Sequence, residues 1–234
     1  MFDFSIVTIV RNDAAGLTET HGSLFAQTFA SWEWVIVDGA SSDGSAELAR
    51  SWASQRVQVV SERDSGIYDA MNKAVKYARG KWYLFLGADD ELLDGFSEMA
   101  PFLADPNCIY YGDFVFDTMR RAGGEFDGYR FSKAGICHQN ILYPSVVFDK
   151  YKYDEKYPIN ADYFLNLQCW ADESIRFEYY PFIVAKFSSS GVSSNVIDEQ
   201  FEKDRGSIIK KYLGTMVYYR YLFKEFRKKI TGKK

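Results

Sequence analysis

The sequence predicts an α/β fold built on a mostly parallel central sheet with helices on both faces. Short apolar segments rich in β-branched residues recur through the first half, and each is followed by a segment with helical patterning. The loops between them are short, which favours parallel strands joined by crossover helices. Ligands of such sheets bind beyond the carboxyl ends of the strands, where this sequence carries polar residues.

Strands and helices alternate in the first half. Apolar and β-branched runs predict strands over residues 4–10, 34–38, 57–61 and 82–86. Helices are predicted between or after them, over residues 14–27, 45–53 and 67–78. Asp43 and Gly44 precede the second helix as turn and capping residues, and Gly80 follows the third helix as a C-terminal cap.

The second half has a different pattern and is expected to extend or cap the sheet as an additional smaller sheet region. Strands are predicted over residues 108–116, 128–131, 143–148 and 175–184. A helix is predicted over residues 161–171, and roughly the last 30 residues have helical spacing. Residues 188–195, rich in serine, are interpreted as a loop that is either a mobile lid or a linker.

The composition is that of a globular protein. The 234 residues suffice for one domain, and 47% of them are hydrophobic against 26% charged. The three cysteines lack a C-x-x-C pair and there are two histidines, which argues against a disulfide framework, a zinc site or a His-rich metal site. The N-terminus lacks the pattern of a secretory signal, and no apolar run reaches the ~18 residues of a membrane-spanning helix. A cytoplasmic protein is therefore expected.

Charge is distributed unevenly along the chain. The net charge of −4 combines +8 in residues 210–234, which hold nine Lys and Arg and one acid, with −12 elsewhere. An acidic body argues against a nucleic-acid partner, because phosphate contacts require a basic face. The basic tail also has apolar residues near helical spacing: Ile209, Tyr212, Leu213, Met216, Phe223, Phe226 and Ile230. This pattern suits an interfacial helix on an anionic membrane, and nearly as well a helix that packs on protein or forms a homodimer.

Two adjacent carboxylates, Asp89 and Asp90, directly follow the strand at 82–86. They would repel each other unless a cation or hydrogen bonds offset their charge. Mg²⁺ takes one or two protein carboxylates and completes its shell with phosphate and water, so the pair could hold an ion that bridges a diphosphate. The alternative is an exposed acidic turn or helix cap, which the nearby Glu91 and Asp94 leave open.

Polar residues suited to a nucleotide site follow the other strands. Asp38 ends the second strand, where a carboxylate could accept a nucleobase N–H or bind a ribose hydroxyl. Arg63, in the loop after the third strand, could fork onto phosphate or base. On the next helix, Asn72 could reach the sugar or cap a neighbouring loop, and Asp69 and Lys73 are spaced for an ion pair. The first half has no G-x-G-x-x-G and no P-loop lysine, which argues against a Rossmann dehydrogenase or a P-loop NTPase.

Together these motifs, over roughly residues 1–95, resemble the family 2 glycosyltransferases, which are inverting enzymes with the GT-A fold. The matching segments occur in the family's order and are Ser5-Ile6-Val7-Thr8, Val37-Asp38-Gly39, Ser42-Asp43-Gly44-Ser45, the run from Asp64 to Lys73, Gly80-Lys81-Trp82 and Leu86 to Asp90. Arg11-Asn12 and the run over residues 62–73 look like the branch found in bacterial polysaccharide clusters, such as colanic-acid-type transferases.

The resemblance implies roles for residues of a donor site. Thr8 and Arg11 would line the nucleoside pocket, and Asp38 would bind the base, usually uracil in this family. Arg63 would contact the base or the diphosphate.

The resemblance also implies a divalent metal, Mn²⁺ or Mg²⁺. Asp89 and Asp90 correspond to the metal-binding D-x-D-type motif, with Asp90 as the direct ligand. Many members have an acid where this chain has Gly87, so the ion would rest on fewer protein ligands.

The family's catalytic base is a carboxylate at the start of a helix in the second half, and Asp162 stands at the matching position. It would take the proton of the acceptor hydroxyl. The residues alone leave Asp162 open as a first-turn residue stabilised by the helix dipole. His138, between Cys137 and Gln139 in a loop, could bind donor sugar or acceptor or contact metal or phosphate, or it could be a structural histidine.

The sequence is therefore interpreted as a metal-dependent, hexosyl-type, inverting glycosyltransferase of bacterial surface polysaccharide synthesis. A UDP-sugar donor and a saccharide or lipid-linked acceptor are expected. One domain is expected over residues 1–205, with a nucleotide-sugar-binding half to about residue 95 and an acceptor half after it. A basic amphipathic helix over residues 206–234 could hold the protein on the inner face of the plasma membrane. The alternatives are a non-catalytic nucleotide-sugar or glycan-binding module, and a sugar nucleotidyltransferase, for which residues 11–16 lack a convincing triphosphate loop.

Overall fold

A computed structural model describes residues 2–187 and 196–231. In these residues the strands form one nine-stranded sheet in the order β3-β2-β1-β4-β8-β6-β9-β5, with β7 paired to β6. The mixed α/β fold predicted from the sequence is confirmed. The segment over residues 188–195, predicted to be a lid or linker, lies outside the described residues.

The first half is parallel because helices return the chain between neighbouring strands. Its elements are β1 (Phe4–Val10), α1 (Ala14–Phe25), β2 (Trp32–Asp38), α2 (Ser45–Ser51), β3 (Val57–Ser61), α3 (Ile67–Ala74) and β4 (Trp82–Phe85). β1 pairs in parallel with β2 on one side and β4 on the other, and β3 pairs in parallel with β2. β2 is buried along its whole length, as expected for a strand covered on both faces.

The second half extends the sheet with mixed pairing. Its elements are β5 (Glu91–Leu92), α4 (Asp94–Met99), β6 (Cys108–Phe116), β7 (Arg121–Ala122), α5 (Gly128–Phe131), β8 (Ile141–Pro144), α6 (Val146–Lys150), α7 (Ala161–Trp170), β9 (Arg176–Phe187) and α8 (Glu199–Thr231). Short 3₁₀ turns cover Ala100–Phe102 and His138–Asn140. β8 joins the halves, because it pairs antiparallel with both β4 and β6.

Two strand predictions in the second half were wrong. Residues 128–131 form α5, because the side chain of Asp127 caps it by accepting a hydrogen bond from the Arg130 N–H at 2.6 Å. The predicted strand over residues 143–148 ends at Pro144, and α6 follows. Proline has no N–H for a sheet ladder, and short apolar runs do not distinguish strand from helix.

The core crosses both halves of the chain. One buried cluster joins Val7 of β1 to Tyr143 of β8, Leu165 of α7 and Ile208 of α8. A second cluster on the other face of the sheet likewise combines residues from the two halves. The described residues therefore pack as one unit.

The C-terminal helix α8 has two parts. It begins at Glu199 and is continuous across the boundary expected at residue 206, with Ile208 and Ile209 buried. Gly214 interrupts the helical backbone with φ 83°, a conformation that glycine adopts without penalty. Beyond it, Met216 is 87% exposed and Phe223 is 63% exposed. Among the described residues, no helix is both long and apolar enough to cross a bilayer.

Candidate active site

The carboxyl ends of the parallel strands β1 to β4 meet at one edge of the sheet. Arg11 follows β1, Asp38 ends β2, Arg63 follows β3, and Asp89 follows β4. The strand order brings these separate segments together, as the parallel-sheet prediction required. This edge is the candidate donor side of the site.

Asp38 is fully buried at this edge and is held by the end of β3 and by its own loop. Its carboxylate accepts hydrogen bonds from the Ser61 hydroxyl at 2.6 Å and from the Ser41 N–H at 3.1 Å. The next residue, Gly39, allows close approach: a Cβ there would lie 2.4 Å from Asp64 Oδ2 and 3.4 Å from Arg11 Cδ. The Asp64 and Arg11 side chains therefore lie over the Gly39 backbone.

Two residues predicted to contact the donor have other partners. Thr8 is fully buried, and its hydroxyl accepts a hydrogen bond from Trp34 Nε1 at 2.9 Å, so the side chain lies in the core and does not line an open cleft. Asn72 donates from Nδ2 to the Tyr153 carbonyl at 2.9 Å and accepts from the Tyr153 N–H at 3.0 Å. The structure thus supports the loop-capping alternative for Asn72.

The loop carrying Arg63 is fixed by a lysine of α3. Lys73 Nζ donates to the Arg63 carbonyl at 2.7 Å and pairs with Asp69 at 3.0 Å, as the i, i+4 spacing predicted. Arg63 itself is exposed, which keeps its guanidinium on the surface at the donor side.

The turn after β4 orients the paired carboxylates. Asp90 is buried, and its Oδ2 accepts hydrogen bonds from the Gly87 N–H at 2.9 Å and from Gln139 Nε2 at 3.1 Å. The Thr20 hydroxyl of α1 donates a hydrogen bond to the Asp90 carbonyl at 2.8 Å and so ties the turn to α1. A Cβ at Gly87 would lie 2.7 Å from Asp90 Oδ2, so an acidic side chain there would displace Asp90.

The chemistry of this pair fits a hard divalent cation. Asp89 is half-buried beside the buried Asp90, and carboxylate oxygens are the ligands that Mg²⁺ and Mn²⁺ prefer. In the part of the chain that the structure describes, no three His, Cys, Asp or Glu side chains cluster as a metal site. An ion here would therefore need ligands from a bound diphosphate and from water.

Asp162, the predicted base, lies in the first turn of α7 and is held from both sides. Its Oδ1 accepts from the Tyr163 N–H at 2.7 Å and lies 3.0 Å from the Tyr68 hydroxyl. Its Oδ2 lies 3.3 Å from His138 Nδ1. Burial, together with the charge of Asp162, raises the pKa of Tyr68 well above its ordinary value, so the phenol stays protonated beside the carboxylate.

Asp162 and His138 open onto one cavity of about 300 Å³. Gln139, Tyr68, Lys133 and Arg205 also line it, with apolar residues between them. Arg205 is tied to the wall, because it donates to the Lys133 carbonyl at 2.8 Å and pairs with Glu202. Burial raises the pKa of the neighbouring Cys137 thiol to about 12.

The sequence did not single out Gln139 or Tyr68 as site residues. Each stood in a motif that the sequence does show, since Gln139 follows His138 and Tyr68 lies in the run before Asn72. Gln139 is 4% exposed and bonds the donor-side Asp90, while Tyr68 bonds the acceptor-side Asp162. The structure therefore brings the two predicted carboxylate groups to one place.

Asp162 thus lines a cavity of about 300 Å³, and the carboxylate pair Asp89 and Asp90 follows a parallel strand on the donor side. The sequence description of Glycosyl transferase family 2 matches residues 5–162. The chain belongs to this family. It is a glycosyltransferase with the GT-A fold.

Relatives of this glycosyltransferase cover most of its length. It is 36% identical over 211 residues to the PGL/p-HBAD biosynthesis glycosyltransferase Rv2957 of Mycobacterium tuberculosis, covering 86% of this chain and 82% of the relative. It is 27% identical over 214 residues to the Escherichia coli enzyme named UDP-Glc:alpha-D-GlcNAc-diphosphoundecaprenol beta-1,3-glucosyltransferase WfgD, covering 83% and 81%.

Solved structures share the fold at low identity. S. aureus TarS 1-349 in complex with UDP aligns with a TM-score of 0.68 and 15% identity, covering 90% of this chain and 65% of that one. The mannosyltransferase PcManGT of Pyrobaculum calidifontis, in complex with GDP-Man and Mn²⁺, aligns with a TM-score of 0.63 and 15% identity, covering 94% and 74%. Against a longer TarS chain, this chain spans 43% of the length.

Proposed function

We propose that this chain is an inverting glycosyltransferase that moves a sugar from a nucleotide-sugar donor to a saccharide or lipid-linked acceptor in bacterial surface glycan synthesis. One observation carries the proposal. Asp162 lines the 300 Å³ cavity beside His138, and the next residue, Gln139, bonds Asp90 of the donor-side turn at 3.1 Å. A candidate base and a candidate diphosphate site thus share one wall.

The chemistry assigns separate tasks to the two sides. On the acceptor side, Asp162 takes the hydroxyl proton as that oxygen attacks the anomeric carbon, forming the new glycosidic bond. The bond from the anomeric carbon to the donor phosphate breaks on the opposite side, which inverts the centre. A divalent ion bound at Asp89 and Asp90 would supply charge neutralisation for the departing nucleotide diphosphate.

A UDP-sugar is the favoured donor. Support comes from TarS, which is solved in complex with UDP, while PcManGT is solved with GDP-Man, so the base is part of the proposal. Asp38 would accept the base N–H, and Arg11 and Arg63 are exposed at the same sheet edge for base or diphosphate. Asp38 is fully buried under its loop, so this role requires the loop to admit the base.

The acceptor is proposed to be membrane-borne. The name of WfgD gives that relative a GlcNAc-diphosphoundecaprenol acceptor. Beyond Gly214, α8 exposes one apolar face, with Met216 at 87%, Tyr219 at 62%, Phe223 at 63% and Phe226 at 61%. Basic residues of the tail would add roughly 1 kcal/mol each near an anionic leaflet. We propose that the enzyme is cytoplasmic and binds the inner face of the plasma membrane through this face.

Nucleotide binding and turnover test the catalytic proposal together. Calorimetry with UDP, GDP and dTDP, with and without Mn²⁺ or Mg²⁺, should show metal-dependent UDP binding that Asp90→Ala abolishes. Asp162→Asn keeps an oxygen for Tyr163 and Tyr68 but has no base, so turnover should fall by about 10²–10⁴-fold with UDP affinity unchanged. If the folded protein binds no nucleotide, the proposal is refuted. If the wild type binds the donor but shows no turnover, the alternative of a non-catalytic nucleotide-sugar-binding module is favoured.

Vesicle sedimentation tests the membrane proposal. The chain should bind phosphatidylglycerol-containing vesicles at least about tenfold more tightly than pure phosphatidylcholine vesicles, and salt should weaken the binding. Phe223→Ser should reduce binding without changing UDP affinity, since it is exposed and lies beyond the kink. Equal binding to both vesicle types, together with a mass that doubles with concentration, would instead indicate a homodimer through α8.

A further inference from the structure

The 3₁₀ turn His138–Asn140 contacts both carboxylates of the site through consecutive side chains. His138 Nδ1 lies 3.3 Å from Asp162 Oδ2, and Gln139 Nε2 lies 3.1 Å from Asp90 Oδ2. These carboxylates belong to elements far apart in the sequence, one after β4 and one at the start of α7. A single short turn therefore connects the acceptor side to the donor side.

The turn is anchored to the centre of the sheet. Asn140 is 2% exposed, and its side-chain amide donates a hydrogen bond to the Gly112 carbonyl of β6. The chain then enters β8, in which Ile141 pairs with Tyr111 of β6 and Tyr143 pairs with Tyr83 of β4. Asp90 follows β4, and the turn precedes β8, so the two are attached to neighbouring strands of the sheet.

We propose that His138 and Gln139 are positioning residues, His138 for the base Asp162 and Gln139 for the metal-side carboxylate Asp90. The turn contacts both carboxylates and so fixes the position of one relative to the other. This inference rests on the proposed function, and it assigns neither side chain a direct contact with substrate.

The hydrogen bonds of Asp162 explain why His138 matters. Oδ1 has the Tyr163 N–H and the Tyr68 hydroxyl as neighbours, and a donor at Oδ2 adds a contact that restricts the rotation of the carboxylate further. With its proton on Nδ1, His138 donates to Oδ2 and fixes that rotation. An asparagine at this position carries an amide N–H near the place of Nδ1, whereas alanine carries no donor.

Gln139 acts on the other carboxylate. It is 4% exposed, and its amide N–H shares Asp90 Oδ2 with the Gly87 N–H. Hydrogen bonds to a carboxylate favour its charged form and fix its direction. Methionine has a similar length and no donor, so Gln139→Met removes the hydrogen bond while filling the same space.

The test separates the two roles by two readouts. The first is calorimetry with UDP and Mn²⁺, and the second is UDP release from UDP-glucose with a GlcNAc-diphospho-lipid acceptor. His138→Ala should lower kcat about tenfold or more with the UDP dissociation constant unchanged, and His138→Asn should recover most of that loss. Gln139→Met should raise the UDP dissociation constant about tenfold in Mn²⁺ and have little effect without metal.

A purely structural role gives a different pattern. His138→Asn would then be no more active than His138→Ala, and the split between kcat and affinity would be missing; either result overturns the proposal, whereas a lower Tm alone is expected from the loss of a hydrogen bond. A readout without substrate is the ¹⁵N resonance of the His138 ring, with His21 as the internal reference, because the chain has two histidines. Nδ1 of His138 should carry a proton, and a ring protonated on Nε2 alone refutes the donor role.

Failure of the inference differs from failure of the proposed function. If wild type binds UDP and turns over, and Asp162→Asn is inactive while His138→Ala is fully active, the transferase stands and the positioning role falls. If wild type binds no nucleotide, the proposed function itself falls.

Discussion

Asn72→Ala tests whether this amide builds the fold or binds the donor. The side chain makes two hydrogen bonds to the backbone of Tyr153, at 2.9 and 3.0 Å, and Tyr153 is fully buried. At about 1 kcal/mol net for each hydrogen bond, the free energy of unfolding should fall by about 2 kcal/mol. It should fall by up to ~6 kcal/mol if the Tyr153 N–H and carbonyl stay buried without partners.

The assay is urea unfolding followed by tryptophan fluorescence, for which the chain has five Trp. The midpoint should move and the slope should not, because the surface exposed on unfolding is unchanged. In a thermal scan, a loss of about 2 kcal/mol corresponds to a Tm lowered by roughly 4–8 °C for a protein of this size. Lys76→Ala, on an exposed residue just after α3, is the matched control and should stay within about 0.5 kcal/mol.

UDP affinity provides the refutation. A packing role predicts that Asn72→Ala binds UDP as tightly as the wild type at temperatures where both are folded. A tenfold loss of UDP affinity with unchanged stability would show that Asn72 is a donor contact after all, and that its bonds to Tyr153 are exchangeable.

Two further predictions concern the carboxylates of Asp90 and Asp204. In Gly87→Ala the new Cβ would lie 2.7 Å from Asp90 Oδ2, so calorimetry should show that the affinity for UDP in Mn²⁺ falls about tenfold. The control is Gly22→Ala in α1, where the new Cβ meets nothing within 4 Å and the affinity should be unchanged. A hydrogen bond from Lys156 helps to lower the pKa of Asp204 from 3.8 to about 2. The ionised carboxylate of Asp204 therefore stabilises the fold at pH values above its pKa in the unfolded chain. The gap in urea midpoint between wild type and Asp204→Asn should therefore close as the pH falls from about 4 to 2, and a constant gap would contradict this linkage.

Local sequence patterns predicted the bounds of two strands well. The predicted strands over residues 57–61 and 108–116 coincide with β3, at one edge of the sheet, and with β6, since β-branched and aromatic residues favour strands. The pattern was weaker at residues 128–131, where four residues are too few for periodicity to separate strand from helix. There the capping side chain of Asp127 decided the outcome.

The site was predictable as a set of residue types, and less so as a set of contacts. Asp162 and His138 were both named from the sequence, and the structure places them 3.3 Å apart in one cavity. The link from Gln139 to Asp90 depends on β8 lying beside β4, and no local pattern reveals that pairing. The burial of Thr8 was not foreseen, because β1 is buried on both faces and alternation along the strand does not tell which side chains reach the edge.

The kink at Gly214 has a consequence for how this enzyme changes over evolution. Before the kink, Ile208 and Ile209 are part of the core, so a substitution there must preserve the packing of buried side chains. After it, Val217 packs against α5 at Gly128, while the opposite face, with Met216 and Phe223, points outward. The outward face of α8 is thus separate from the core packing of its first part. Substitutions on the outward face can therefore change what α8 contacts without altering the packing of Ile208 and Ile209 in the core.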